Sequence, residues 1–201
     1  MRPPRSDTGV LELSVSEGTA HAVLARPILD RAALNALATA LTSLAAAPHP
    51  LPLVLSSAHP RVFLAGADLG EIAELDATSC LAYSELGRRV VQLLAVHPAA
   101  AVAAVHGPCS GGGFDIVVAC DAVVVSPTAS FQHPGLRRGL ITGWSGTAAL
   151  PAAIGRTAAR AALLEARAID APTAVAAGLA WRLSDDPKRE ATALASRLGR
   201  L

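Results

Sequence analysis

The stretch Val105-His106-Gly107-Pro108-Cys109-Ser110-Gly111-Gly112-Gly113-Phe114-Asp115 sets three glycines between two apolar segments, with a carboxylate close behind. Ahead of it, AAAVAAV at 99–105 has the unbroken apolar character of a strand buried on both faces, and FDIVVAC at 114–120 reads as a short helix. A strand, a glycine turn and a helix start leave backbone N–H groups at the positive end of a helix, where a phosphate or a developing oxyanion can be received. A tight turn that needs positive φ would use the same residues. The glycines alone leave both readings open.

Three phosphate or nucleophile motifs fail here. Counted from Gly111, a dinucleotide fingerprint would need glycine at Ile116, and no Gly-Lys-Ser/Thr follows for a phosphate loop. Neither Ser110 nor Ser145 has the flanking glycines of a nucleophile elbow. A second loop points elsewhere. Arg61-Val62-Phe63-Leu64-Ala65-Gly66-Ala67-Asp68-Leu69 follows another buried strand, LPLVLSS at 51–57, and leads into a short helix opened by Asp68. Two such loops at the carboxyl ends of neighbouring strands can aim two amides at one oxygen.

Around these loops the chain reads as α/β. VLELSVS and AHAVLAR flank Glu17-Gly18-Thr19 as a hairpin, and DRAALNALATALTSLAAA carries Leu34, Leu37, Leu41 and Leu44 at helical spacing behind an Asp30 cap. Residues 77–96 read as a helix, DAVVVSP as a third buried strand, and 144–201 as mainly helical, with helices near 146–153, 156–167, 172–178 and 187–200. Continuous apolar strands alternating with helices predict a largely parallel sheet.

With 201 residues and 52% hydrophobic content, the chain is expected to form one domain over 1–201, with a core about 10–155 and a helical C-terminal region about 156–201. Seventeen Lys+Arg against 16 Asp+Glu give a net charge of +1, which predicts no nucleic-acid partner. No run reaches the length of a membrane span or a signal peptide. Cys80, Cys109 and Cys120 show no CxxC pairing and read as free thiols in the core or loops of a cytoplasmic protein. No metal site is expected.

The glycine stretch through Cys120-Asp121, the Arg61–Leu69 loop, Ala103-Ala104-Val105-His106-Gly107, Phe131-Gln132-His133-Pro134, and Gly146-Thr147 with Leu150-Pro151 and Ile154-Gly155 together resemble the successive signatures of the crotonase superfamily, the enoyl-CoA hydratases and isomerases. The resemblance spans roughly 10–198. It implies the crotonase β-β-α spiral, an acyl-CoA or acyl-carrier-protein thioester as substrate, no cofactor beyond the coenzyme A of that substrate, and a homotrimer or hexamer. It also implies that the amides of Ala67 and Gly112 polarise the thioester carbonyl and stabilise an enolate, with Gly66, Gly111 and Gly113 shaping the two loops.

Of the two glutamates that hydratases place here, the first position holds Asp115 and the second Gly135. Asp115 lies three residues past Gly112, on the same side of a helix starting there. It is the expected acid or base. Adding water across a double bond needs a second proton carrier, so isomerisation or decarboxylation is expected over hydration. Gly-Gly-Gly-x-Asp resembles the dienoyl-CoA isomerases, and glycine at 135 with Trp144 nearby resembles the dihydroxynaphthoyl-CoA synthases, in which bicarbonate substitutes for the glutamate. Neither pattern is complete.

Arg61 matches a position that contacts CoA phosphate in relatives, and Gly70 replaces a lysine often found there. His133 and His106 border the expected pocket. Asp68 and Asp121 are expected to cap helices or pin loops. Relatives usually continue for several dozen residues past the point matching 198, with helices that complete the trimer and cover the acyl pocket. A non-catalytic thioester-binding or assembly subunit of the same fold therefore stands as the alternative to an enzyme.

Overall fold

The structure is a computed structural model that describes residues 6–7 and 9–199; the ends of the expected 1–201 domain, including most of its MRPPRSDT start, lie outside the described residues. In chain order the elements are β1 (Ser6–Asp7), β2 (Leu11–Ser16), β3 (Thr19–Leu24), β4 (Ile28–Leu29), α1 (Arg31–Ala45), β5 (Leu53–Ser57), β6 (Gly66–Ala67), α2 (Leu69–Ala73), α3 (Ala77–Ala95), β7 (Ala101–Val105), β8 (Pro108–Ser110) and α4 (Gly112–Val118). They continue with β9 (Ala122–Val125), β10 (Ser130–Gln132), a 3-10 turn at Gly135–Arg138, α5 (Gly146–Ile154), α6 (Arg156–Leu164), β11 (Ile169–Asp170), α7 (Ala171–Ala176), β12 (Arg182–Leu183) and α8 (Pro187–Leu198).

Four turns repeat one pattern: a strand of the main sheet, a short strand of an inner layer, then helix. They are β3-β4-α1, β5-β6-α2-α3, β7-β8-α4 and β9-β10-α5. Each turn advances the main sheet by one strand, giving the order β1-β2-β3-β5-β7-β9-β12, parallel from β3 onward. This is the β-β-α spiral that the resemblance implies. The hairpin β2–β3 opens the sheet antiparallel, and its turn places both Glu17 and Gly18 at positive φ, the backbone that matches strand twist.

The parallel strands are apolar throughout because both faces are covered. Leu53 and Leu55 join the core beneath α1 and α3, whereas Val54, Val102 and Val124 pack against Ala191, Leu194 and Ala195 of α8. Asparates set the helix starts: Asp30 accepts from the Ala33 amide at 2.8 Å, and Asp76 forms a capping box with Ser79.

The inner layer is what the strand-and-helix pattern of the sequence does not reveal. β4 pairs with β6, β8 with β10, and a bridge between Leu64 and Cys109 ties the two pairs together. These strands are two or three residues long, too short to show a period. The C-terminal part carries the four expected helices, as α5 to α8, and the segments between them add two short strands. Ile169–Asp170 pairs with β10, and Arg182–Leu183 closes the edge of the main sheet on β9.

The cysteines are free, but Cys80 lies exposed on α3, neither in the core nor in a loop. Burial and the Asp115 charge push the Cys109 thiol well above its ordinary range. Burial, with Asp121, pushes Cys120, whose Sγ turns in toward the Ile116 carbonyl, up to about 12. Thiolate is the reactive form, so iodoacetamide at mildly alkaline pH is expected to label Cys80 alone until the protein unfolds. Rapid native labelling mapped to Cys109 would contradict this burial.

Candidate active site

The two glycine-bearing loops meet. A Cβ at Gly66, which has φ +96°, would stand 2.7 Å from the Ser110 carbonyl oxygen and 3.2 Å from the Gly112 amide nitrogen. Only bare backbone fits there. Ser110 Oγ donates to the Ala65 carbonyl at 2.8 Å and its amide to the Leu64 carbonyl at 2.8 Å, which clamps the loops together. Gly112 opens α4, so its amide has no carbonyl one helical turn before it to receive it.

Each glycine of the triplet has its own reason. Gly111 takes φ +54°. A Cβ at Gly113 would come 2.5 Å from Leu64 Cβ, across the seam between α4 and the Arg61–Leu69 loop. At Gly112 the obstacle is the Trp144 ring, which a Cβ would overlap. The same indole would overlap a side chain at Gly87 on α3, so two glycines form the slot that holds it. Trp144 is buried, and its ring lies 5.9 Å from that of Tyr83. Glycine at 112 therefore makes room for an indole as well as presenting an amide.

Asp115 follows in the first turn of α4 and is 2% exposed. Its Oδ1 lies 3.1 Å from His133 Nε2, and its Oδ2 accepts a hydrogen bond from the Thr142 hydroxyl. The His133–Asp115 contact has ion-pair distance without the alignment of a hydrogen bond, so both buried atoms keep unfilled hydrogen-bonding capacity. A Cβ at Gly146, the first residue of α5, would overlap Asp115 Oδ1. The carboxylate thus sits by the positive ends of two helices, an arrangement favourable to its charge.

His133 is 5% exposed, and its ring stacks on Phe114 with centroids 5.1 Å apart. The sequence sets both His133 and His106 at the border of the pocket and puts His133 first in line where Gly135 leaves a proton carrier missing. The structure separates them, because His106 Nε2 contacts the His59 carbonyl at 2.8 Å and ties a loop. Thr142 had no signal in the sequence at all, being a single hydroxyl 27 residues from its partner in an irregular segment.

Asp68 caps α2 through the amides of Gly70 and Glu71, and Asp121 Oδ2 pins the start of β7 through the Ala101 amide at 2.7 Å, as expected of both. Arg61 is exposed and its side chain joins no ion pair among the described residues. Gly135 does not face an open position: a Cβ there would come 2.9 Å from the Leu140 carbonyl oxygen.

His133, Gly135 and Thr142 border a narrow cleft of about 10 Å³, roughly one water in size. A larger cavity of about 480 Å³ lies elsewhere, between the end of α4 and α7, lined by Cys120, Asp121, Ala153, Val175 and Trp181. It holds none of the expected catalytic residues, so chemistry, and not volume, locates the candidate site. Among the described residues no group of three or more His, Cys, Asp or Glu could hold a metal ion, and no helix is long and apolar enough to cross a membrane.

Comparison with known proteins gives these residues a context. The family described as enoyl-CoA hydratase/isomerase matches residues 15–198. A probable enoyl-CoA hydratase of Mycobacterium leprae is 35% identical over 153 residues, 74% of this chain and 58% of that protein. The mitochondrial methylglutaconyl-CoA hydratase of Mus musculus is 31% identical over 151 residues, 75% of this chain and 48% of its own. The chain thus spans about half of these relatives' length. Among solved structures, Pseudomonas aeruginosa DspI superposes with a TM-score of 0.92 at 27% identity, covering 98% of this chain and 77% of that one. An enoyl-CoA hydratase of Mycobacterium smegmatis does so at 0.87 and 29%, covering 94% and 76%.

Proposed function

Because the chain belongs to the enoyl-CoA hydratase/isomerase family of the crotonase superfamily, we propose that it forms the enolate of an acyl thioester, with the carbonyl oxygen between the amides of Ala67 and Gly112 and Asp115 as the proton-transfer group. The observation that carries this is the buried Asp115 carboxylate, three residues past Gly112, held beside two touching loops. Each amide aimed at the developing oxyanion contributes about 3 to 4 kcal/mol by the measure of other oxyanion holes. Arg61, exposed on the loop before Gly66, is the group for a CoA phosphate.

The chemistry follows from what faces Asp115. Hydration requires one group to activate water and another to manage the second proton, and Gly135 supplies no side chain for that. Isomerisation moves one proton between carbons, and decarboxylation needs mainly the oxyanion site, so either suits this residue set better. The substrate is an acyl-CoA or its acyl-carrier-protein counterpart, and a homotrimer or hexamer in the cytoplasm is the proposed assembly.

Turnover against a panel of enoyl, dienoyl and malonyl thioesters tests the reading. Crotonyl-CoA hydration is expected to run at least about 10²-fold slower than in relatives with two glutamates, the contribution typical of one acid/base group. Hydration as fast as theirs would remove the preference for isomerisation. Binding of acyl-CoA without turnover of any panel member would instead support a non-catalytic thioester-binding subunit. The indole over Gly112 and the narrow cleft favour that second reading to the extent that Trp144 stays in place when thioester binds.

A further inference from the structure

Buried as it is, Asp115 needs a way to exchange its proton with water, and the arrangement around it offers one. We propose that His133 is the outlet for the Asp115 proton, passing it between that carboxylate and the cleft bordered by Gly135, Leu136, Leu140 and Ile141, and does not itself face the substrate as a second acid/base group. The inference rests on the assignment of Asp115 as the base.

Three observations carry it. His133 Nε2 and Asp115 Oδ1 are 3.1 Å apart, a separation at which a turn of the ring into alignment permits proton transfer, and each is buried with no other partner. The histidine also lines the cleft, whereas Asp115 does not, so the ring stands between the carboxylate and the surface. Finally, the cleft leads outward: Leu136 is 44% exposed and Ile141 62%. Stacking on Phe114 holds the His133 ring in place, and the Thr142 hydroxyl occupies only the other carboxylate oxygen.

The step balances as follows. Breaking the C2–H bond of the thioester sends its proton to Asp115 and its electron pair toward the enolate oxygen. Transfer of that proton to Nε2 restores the carboxylate and leaves an imidazolium. The imidazolium then exchanges hydrogen with cleft water. Once its Nε2 carries solvent hydrogen, through exchange there or a turn of the ring that interchanges its nitrogens, Nε2 returns that hydrogen to Asp115. Asp115 delivers it to C4 as the enolate electron pair forms the new C–H bond, and His133 is left neutral. A carboxyl with no such outlet returns the same proton to the substrate.

The test is isomerisation of 3-butenoyl-CoA to crotonyl-CoA in heavy water, read by the deuterium carried at C4 of the product. Wild type is expected to deliver deuterium in most turnovers. His133→Gln, which fills the same space and carries no proton, should lower the deuterated fraction by about tenfold or more, while Thr142→Val keeps the wild-type fraction. His133→Asn provides the same reading with a smaller side chain. A merely structural role for His133 would change the rate and leave the fraction alone.

A wild-type fraction in both His133 variants sinks the relay, as does loss of deuterium in Thr142→Val alone, which would move the route to the hydroxyl. An undeuterated wild-type product overturns it too. If Asp115→Asn abolishes isomerisation in each of those cases, the assignment of Asp115 survives. Wild type inert toward the probe, or turnover indifferent to Asp115→Asn, overturns both together.

Discussion

Asp115→Asn is expected to lower turnover of the best thioester in the panel by about 10² to 10⁴, the range of a positioned acid/base group, with acyl-CoA affinity nearly unchanged. Asparagine keeps the shape and can still accept from Thr142, so the loops about Gly112 stay in place. What it removes is the capacity to hold the substrate's proton. Steady-state kinetics should show the loss in kcat, with little change in the thioester Kd measured by calorimetry. A decarboxylase would behave otherwise, since loss of CO₂ draws on the oxyanion amides more than on a base. Unchanged kcat on an isomerisable substrate would remove Asp115 from the mechanism.

Gly112→Ala is expected to act on stability and chemistry together. The added methyl overlaps the Trp144 ring, which is itself wedged against Gly87, so either the indole leaves its slot or the start of α4 shifts. Overpacking of this kind costs about 1 to 3 kcal/mol. At this chain length that lowers Tm by roughly 2 to 4 °C for each kcal/mol. Turnover should fall by about 10² or more, because a displaced amide no longer meets the carbonyl oxygen. Removing the obstacle separates the two effects: in a Trp144→Ala background the stability penalty should shrink well below additivity. An additive double variant would show that the methyl meets something other than the indole.

These two changes sit in residues that the sequence singled out, yet the reasons behind them divide. The alternation of buried strands and helices, the hairpin at Glu17-Gly18 and the Asp30 and Asp68 caps are local matters. Apolar periodicity and capping depend on neighbours within a few residues, and a linear reading reaches them. The glycine triplet was legible as a place needing bare backbone, and Asp115 as a carboxylate on the same side of the helix as Gly112.

What contacts those residues is not local. Trp144 meets Gly87 and Gly112 from 57 and 32 positions away, and His133 and Thr142 close on Asp115 from two further segments. None of these partners shares a period or a spacing with its target. The short strands β4, β6, β8 and β10 hold the inner layer by pairing across turns of the spiral, and at two or three residues they leave no trace in hydrophobic patterning. By itself, then, the sequence determined the alternating α/β order, the parallel apolar strands, the two bare loops and the lone motif carboxylate, because each follows from short-range patterning. Only the tertiary structure decided that Gly112 shelters an indole, that Gly135 abuts the Leu140 carbonyl, and that a histidine and a threonine flank Asp115. Those outcomes depend on which distant side chains the spiral brings within a few ångströms of one carboxylate.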